Sequence, residues 1–99
     1  MDNIISNLFL SDEQDTQQYL AQYLRQQRKR ARLSREKLAE KSGVPAPTIK
    51  RFELSGEISL RQFLRLWLVL DDLSRLNALT KPQRTEPQTI EDVLNESLA

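Results

Sequence analysis

Apolar residues recur at the three- and four-residue spacing of α-helices along most of this 99-residue chain, and no useful stretch alternates apolar and polar residues as a β-strand does. Ser11 followed by Gln14 has the pattern of a capping box, and acidic residues lie around it, so we expect a first helix to start near Asp12. We expect this helix to end in the cationic run 28–32, which suits the negative end of the helix dipole.

A second and a third helix should follow, joined by a short turn. Ser34 is placed to cap the second helix, which should stop at Gly43. The turn contains two prolines, and each disfavours the α conformation in the residue before it. Val44 and Ala46 should therefore be extended, and the third helix should begin at Pro47, where a missing N–H costs little.

The C-terminal half predicts two further helices and then a change in composition. Ser59 is placed to cap a fourth helix with a wide apolar face, and residues 72–79 form a short fifth. The polar, proline-containing segment 80–88 is typical of a linker, and residues 90–98 have one apolar face but are too few for a stable isolated helix, which needs ~12 to 15 residues. We predict an all-α fold with a compact four- to five-helix domain at residues 11–79, an N-terminal arm at residues 1–10, and a linker with a short, conditionally folded acidic tail at residues 80–99.

Charge is segregated along the chain, although the net charge is only +1. Residues 25–65 carry twelve Lys and Arg against four Glu, whereas residues 1–24 and 66–99 are both net acidic. A basic centre between acidic ends suits a protein that binds a polyanion with one face. A solvated surface of mixed charge is the simpler alternative.

The composition argues against enzyme chemistry. The chain has no Cys and no His, so it lacks thiolate metal ligands, disulfides and the commonest general base. We therefore expect no catalytic residues, no metal and no cofactor. The N-terminal apolar run does not resemble a signal peptide, and charges interrupt the leucine-rich stretch 60–79, which excludes a membrane span. The expectation is a soluble cytoplasmic protein with no membrane partner.

A specific resemblance appears in the basic centre. Residues 33–39 (LSREKLA), then Gly43 and Val44, then residues 48–53 (TIKRFE), are similar to the helix-turn-helix of the Cro and phage-repressor (XRE) family, and the match extends over roughly residues 16–79. The resemblance implies a lambda-repressor-like domain with its helix-turn-helix at about residues 34–55. In that family the second helix of the pair lies in the major groove of double-stranded DNA, and dimers bind two half-sites ~34 Å apart.

The third helix supplies the candidate base contacts. Its apolar residues should face the core, which turns Pro47, Thr48 and Arg51 outward together. Arg51 can offer two parallel donors to a guanine, and Thr48 can donate to or accept from a base edge or a phosphate. Ala46 and Pro47 stand where the family often has polar side chains, which suggests contacts with thymine methyl groups instead. An ordinary solvated side chain is the alternative for Arg51 and Thr48.

Cations near this helix are candidate phosphate contacts, each adding ~0.9 to the slope of log affinity against log salt. Arg35 stands where the family often carries a Gln that touches phosphate. The resemblance also implies an ion pair between Arg28 and Glu53, which we favour over a phosphate contact for Arg28. The full set of expected phosphate contacts is Arg35, Lys41, Lys50 and Arg61.

Apolar residues beyond the needs of a small core suggest two further surfaces. About half of this surplus should be core, and the rest should form the seam of a homodimer: Trp67, Leu70, Leu73 and Leu76. A repressor-type domain with an acidic tail also resembles HipB-like antitoxins, which bind a HipA-like kinase toxin. The residues that would contact such a toxin are Ile4, Ile5, Phe9, Ile90, Val93 and Leu94. Dimer swapping, or packing back onto the same chain, explains the same apolar residues equally well.

Together with the basic centre, these resemblances imply a dimeric, sequence-specific transcriptional regulator on a palindromic operator, and in particular an antitoxin that represses its own operon. One alternative is a phage-type repressor or Cro-like regulator without a toxin, and capture of a kinase-like partner from the native host separates the two. Another is an interaction module that kept the helical fold but lost DNA binding.

Overall fold

Helices form almost all of the chain that the structure, a computed structural model, describes, which is residues 11–83. The predicted N-terminal arm and most of the predicted linker and tail lie outside these residues, so the proposed domain limits stay a prediction. No strand occurs between residues 11 and 83, and the all-α class is confirmed. The elements are α1 (Glu13–Arg30), α2 (Arg35–Ser42), α3 (Ala46–Ser55), α4 (Leu60–Leu70), α5 (Leu73–Asn77) and a 3₁₀ turn (Ala78–Thr80).

The first helix begins where the sequence indicates, but with a different cap. Asp12 is the N-cap: its carboxylate accepts the N–H of Asp15 at 2.8 Å, and the carboxylate of Asp15 accepts the N–H of Asp12. The capping box therefore lies one residue later than the predicted Ser11–Gln14 pair. Two carboxylates serve here because they hydrogen-bond the free N–H groups and also lie at the positive end of the helix dipole.

The end of α1 depends on a residue that is not glycine. The N–H of Leu33 donates to the carbonyl of Arg28 at 3.1 Å, and the N–H of Arg32 donates to that of Lys29 at 3.0 Å. These two bonds form a Schellman motif, which requires a left-handed residue at its centre. Arg32 takes that conformation with φ of 58°. The chain then turns sharply into α2.

The second and third helices form the predicted helix-turn-helix, with one difference at the start of α3. Ser34 caps α2 and Gly43 ends it in the left-handed conformation, as expected. The N–H of Ile49 donates to the carbonyl of Pro45 at 3.0 Å, so Ala46 is the first helical residue. The prediction that Ala46 is extended is wrong, because the constraint imposed by Pro47 is only a bias and Pro47 needs no intrahelical partner in the first turn.

One core joins the four longer helices. α1 packs against α3 and α4, α2 packs against the same two helices, and α5 packs against α4. Phe52 and Phe63 meet edge to face with ring centroids 6.0 Å apart, and burying a side chain such as Phe52 contributes roughly 1.5 to 3 kcal/mol. The buried residues are Ala21, Leu24, Leu38, Val44, Ile49, Phe52, Phe63, Leu66 and Trp67.

The apolar face of α4 is narrower than the sequence suggests. Its buried residues include Leu66, which the sequence analysis did not single out. A second leucine stripe on the same helix faces outward, with exposed fractions of 72% at Leu60, 36% at Leu64 and 59% at Leu68. Periodicity alone cannot tell these adjoining faces apart, since both follow helical spacing.

One residue of the predicted dimer seam is corrected by this arrangement, and the seam itself stays a prediction. Trp67 is 5% exposed and its indole N–H donates to the carbonyl of Asp72 at 2.9 Å, so it offers no surface to a second copy. Leu70, Leu73 and Leu76 are half-buried because they pack against the core of their own chain.

A polar cluster fastens the start of α5 to α1. The hydroxyl of Tyr23 donates to Asp71, and Arg75 donates to both Asp71 (2.7 Å) and the Tyr23 hydroxyl (2.8 Å). The hydrogen bond from Tyr23 is the largest of the effects that hold the pKa of Asp71 below its usual value. The guanidinium of Arg75 also lies 5.7 Å from the ring centroids of Tyr23 and Trp67.

No helix within residues 11–83 is long and apolar enough to cross a membrane.

Gly56 and Gly43 provide a matched test of the turns. Both are left-handed, but a Cβ on Gly56 would lie 3.0 to 3.2 Å from atoms of Gln17, whereas on Gly43 it would lie 3.5 Å from the Nη1 of Arg65. Gly43→Ala should cost about 1 to 2 kcal/mol of stability through backbone strain alone. Gly56→Ala should cost about 2 to 4 kcal/mol, because crowding against α1 is added. Urea unfolding followed by circular dichroism measures both, and equal losses would contradict the close contact at Gly56.

Candidate nucleic-acid interface

The orientation of α3 is set by its buried face. Ile49, Phe52 and Glu53 are at most 8% exposed and point into the domain. The opposite face carries exposed Pro47 and Arg51. Thus α3 presents a defined outer surface at the second helix of the helix-turn-helix.

A buried carboxylate anchors this helix. Glu53 accepts two hydrogen bonds from Arg28 of α1, from Nε at 2.7 Å and from Nη2 at 3.0 Å. It accepts a third from the Nε of Arg35 of α2, at 2.9 Å. The side chain of Glu53 is only 3% exposed, so its charge is satisfied by protein groups from two other helices.

The ionisation of Glu53 follows from these partners. Burial by itself would raise the pKa of Glu53, but the hydrogen bonds and charges of Arg28 and Arg35 together outweigh it and hold the pKa below its usual value. Glu53 is therefore charged wherever an ordinary glutamate is charged.

Arg28 and Arg35 differ in how many of their guanidinium N–H groups are left to bind a phosphate. Arg28 is buried and also donates from Nη1 to the carbonyl of Leu33 at 2.8 Å, so it is committed to the fold. Arg35 was expected to contact phosphate, but its Nε also donates to Glu53 and its side chain is 29% exposed. Its structural role is thus an addition to the predicted site, and only the guanidinium edge away from Nε is left for a phosphate.

Two of the expected base-contacting residues, Pro47 and Arg51, lie on the outer side of α3. Ala46 lies three positions before the buried Ile49, so it borders the inner face. Ala46 and Thr48 are half-buried, and Pro47 and Arg51 are exposed. Arg51 already has a partner: its Nη2 lies 2.5 Å from the Oε1 of Glu57, which follows the end of α3. No role was predicted for Glu57, because a contact across a turn leaves no periodic signal in the sequence.

Leu54 is a further exposed residue of α3 for which no role was predicted. It is 66% exposed and lies three positions after Arg51 and seven after Pro47, which puts all three on one helix face. A leucine exposed beside an arginine on this face can contact a thymine methyl group. The i, i+4, i+7 spacing of Pro47, Arg51 and Leu54 was the signal that could have identified it.

Three of the predicted phosphate contacts are exposed and make no ion pair within residues 11–83. Lys41, Lys50 and Arg61 are exposed on α2, α3 and α4 respectively. A further cation, Arg65, reaches the turn of the helix-turn-helix, as its position 3.5 Å from a Cβ built on Gly43 shows. The arrangement can attract a polyanion from several directions.

Other predicted sites are not placed. Ile4, Ile5, Phe9, Ile90, Val93 and Leu94, the expected toxin contacts, lie outside the described residues. Within residues 11–83, no group of three acidic side chains is arranged to hold a metal ion.

Comparison with known proteins identifies the module. A family model described as a helix-turn-helix domain matches residues 19–78, which is more than half of the chain and includes α2 and α3. No curated protein and no solved structure gives a match.

Removal of the buried carboxylate should destabilise the domain in a pH-dependent way. At neutral pH, Glu53→Gln should cost about 3 to 5 kcal/mol, because it leaves arginine charge buried without its counter-ion. The pKa of Glu53 is lowered in the folded state, so its contribution is complete above the unfolded value of about 4.3 and is lost as the pH falls through the folded value. The difference in the free energy of unfolding between Glu53→Gln and the wild type should therefore become smaller at acidic pH.

Urea unfolding at a series of pH values measures this gap. Glu40→Gln is the control, since Glu40 is 69% exposed and its loss should change stability by less than about 0.5 kcal/mol. Equal stability of the two variants at neutral pH would show that Glu53 does not anchor α3.

Proposed function

We propose that this chain, which belongs to the helix-turn-helix domain family, is a sequence-specific DNA-binding transcriptional regulator that acts as a dimer on a palindromic operator. The outer face of α3 supports this proposal most strongly, because Pro47, Arg51 and Leu54 are exposed together there. On the inner face, Glu53 holds the helix against the rest of the domain. An exposed, well-anchored helix of this kind is suited to the major groove.

The chemistry of this face supports direct readout of bases. Arg51 supplies the donors that pair with O6 and N7 of guanine, and one good bidentate pair is worth about 1 to 3 kcal/mol of discrimination. Thr48 adds a hydroxyl at the edge of the same face, and Ala46, Pro47 and Leu54 add apolar groups for thymine methyls. Arg35, Lys41, Lys50 and Arg61 supply phosphate contacts, which position the helix and do not select a sequence.

The second copy in the proposed dimer contacts the outward stripe of α4. Leu60, Leu64 and Leu68 lie at i, i+4 and i+8, and all three are exposed. A two-fold axis would bring this stripe against itself, since an isologous interface uses the same patch on both subunits. Two copies then place two α3 helices on successive half-sites, which accounts for a palindromic operator.

For the biological setting we propose an antitoxin of the HipB type that represses its own operon in the cytoplasm and binds a HipA-like kinase toxin. The support is the acidic composition of residues 80–99, which differs from the basic centre, together with the resemblance of the domain to that group. A phage-type or Cro-like repressor without a toxin is the alternative that the same helix-turn-helix allows.

The base-contact role of Arg51 is tested with the duplex that the wild-type protein selects from a random-sequence pool. We predict that this duplex is palindromic and that Arg51→Ala weakens binding by about 1 to 3 kcal/mol, with relaxed choice at one base position per half-site. Fluorescence anisotropy measures the affinities. Arg25→Ala on the exposed side of α1 removes the same charge, and equal losses in both variants would contradict base readout by Arg51.

The dimer surface is tested by charge insertion into the leucine stripe. Leu68→Glu should raise the dimer dissociation constant at least about tenfold, because it buries an unpaired carboxylate between copies. Leu79→Glu, at a leucine that is 78% exposed and off the stripe, should leave it unchanged. Sedimentation equilibrium gives both constants, and a wild-type protein that stays monomeric at high concentration would exclude this interface.

A further inference from the structure

Glu57 places a carboxylate on the same outer surface as Arg51. The two side chains are 61% and 71% exposed, and the Nη2 of Arg51 donates to the Oε1 of Glu57 at 2.5 Å. Thr48, Ser59 and Gln62 line the same shallow depression between α3 and the start of α4. An acidic group at this position is unexpected on a surface suited to DNA, because it repels phosphate.

The turn that carries Glu57 is held in place from two sides. The hydroxyl of Ser55 donates to the carbonyl of Arg51 at 2.7 Å and accepts the N–H of Glu57 at 3.1 Å. From α1, the amide of Gln17 donates to the carbonyl of Gly56 at 3.2 Å, and that of Gln18 donates to the carbonyl of Ser55 at 2.8 Å. The backbone of Glu57 is therefore fixed relative to α3, and its carboxylate is built into the position beside Arg51.

The ion pair between Arg51 and Glu57 is weak, which limits its possible effect on DNA binding. A pair this exposed changes an equilibrium constant by at most about fivefold. It is too weak to keep Arg51 away from DNA, so the contact does not work as an inhibitory lock. It is strong enough to favour one orientation of the guanidinium, and its negative charge opposes the use of Arg51 as an ordinary phosphate ligand.

We infer that Glu57 is a specificity-determining residue for DNA binding, an inference that rests on the proposed function. Glu57 holds the guanidinium of Arg51 toward a base edge and makes contact of Arg51 with the phosphate backbone unfavourable. Arg51 then contributes to affinity mainly at the correct sequence. Specificity of this kind is gained by weakening the wrong complex as well as by strengthening the right one.

The test compares Glu57→Gln with the wild-type protein on two duplexes, the one that the wild type selects from a random pool and a scrambled duplex of the same composition. Glutamine keeps the size of the side chain and removes its charge. Binding to the scrambled duplex should become tighter, and the ratio of selected to scrambled affinity should fall about two- to fivefold. The slope of log affinity against log salt on the scrambled duplex should steepen by ~0.9, because Arg51 becomes free to neutralise a phosphate.

Two controls separate this role from a general effect of charge. Glu40→Gln removes the same charge from another exposed ion pair, with Lys37, and should leave the ratio unchanged. In an Arg51→Ala background, Glu57→Gln should no longer steepen the salt slope. Thermal unfolding by circular dichroism checks that each variant is folded.

The outcomes that overturn the inference are distinct. If Glu57→Gln and Glu40→Gln change the affinity for both duplexes by the same factor, net charge alone explains the effect and Glu57 has no part in specificity. If the salt slope steepens equally without Arg51, the carboxylate does not act through Arg51. If the wild-type protein itself selects no duplex, the proposed function fails, and the inference fails with it.

Discussion

The ion pairs of Glu53 are the interaction on which the position of α3 depends. Its carboxylate is buried on α3, and the two arginines that neutralise it come from α1 and α2. Each buried charge costs several kcal/mol to desolvate, so the arrangement is favourable only when all three helices bring their groups within hydrogen-bond distance. The buried charges thus favour one placement of the helix over other packings that an apolar core of similar composition would also allow.

The two faces of α3 serve different purposes because of this anchor. The inner face combines Glu53 with Ile49 and Phe52, which pack into the core. The residues of the outer face do not pack in the core, and the turn after the helix places Glu57 beside Arg51. A surface whose backbone is fixed and whose side chains are exposed needs little reorganisation to bind, which reduces the entropic cost of recognition.

Much of the fold was predictable because its signals are local. Helices begin after Ser34 and Ser59, because serine readily caps a helix with a short-range hydrogen bond. They end at Gly43 and Gly56, because glycine readily adopts the left-handed conformation. Arg32 escaped prediction because an arginine carries no such preference. The buried side of α4 escaped as well, since Leu66 and the exposed Leu60–Leu64–Leu68 stripe have the same helical spacing. Contacts of Glu53 with Arg35 and of Glu57 with Arg51 depend on how the helices and turns are assembled, which periodicity does not encode.

Sequence-specific DNA binding through α3 is tested most directly by residue-resolved NMR of the labelled protein, titrated with the duplex that it selects from a random pool. We predict that the largest amide shift changes fall on residues 46–57 and at the start of α2, and that the outward side of α1, which carries Gln22, Arg25, Gln26 and Lys29, changes little. Large changes along that side of α1 with none in α3 would show that DNA binds elsewhere, and would contradict the assignment of α3 as the helix that contacts the bases.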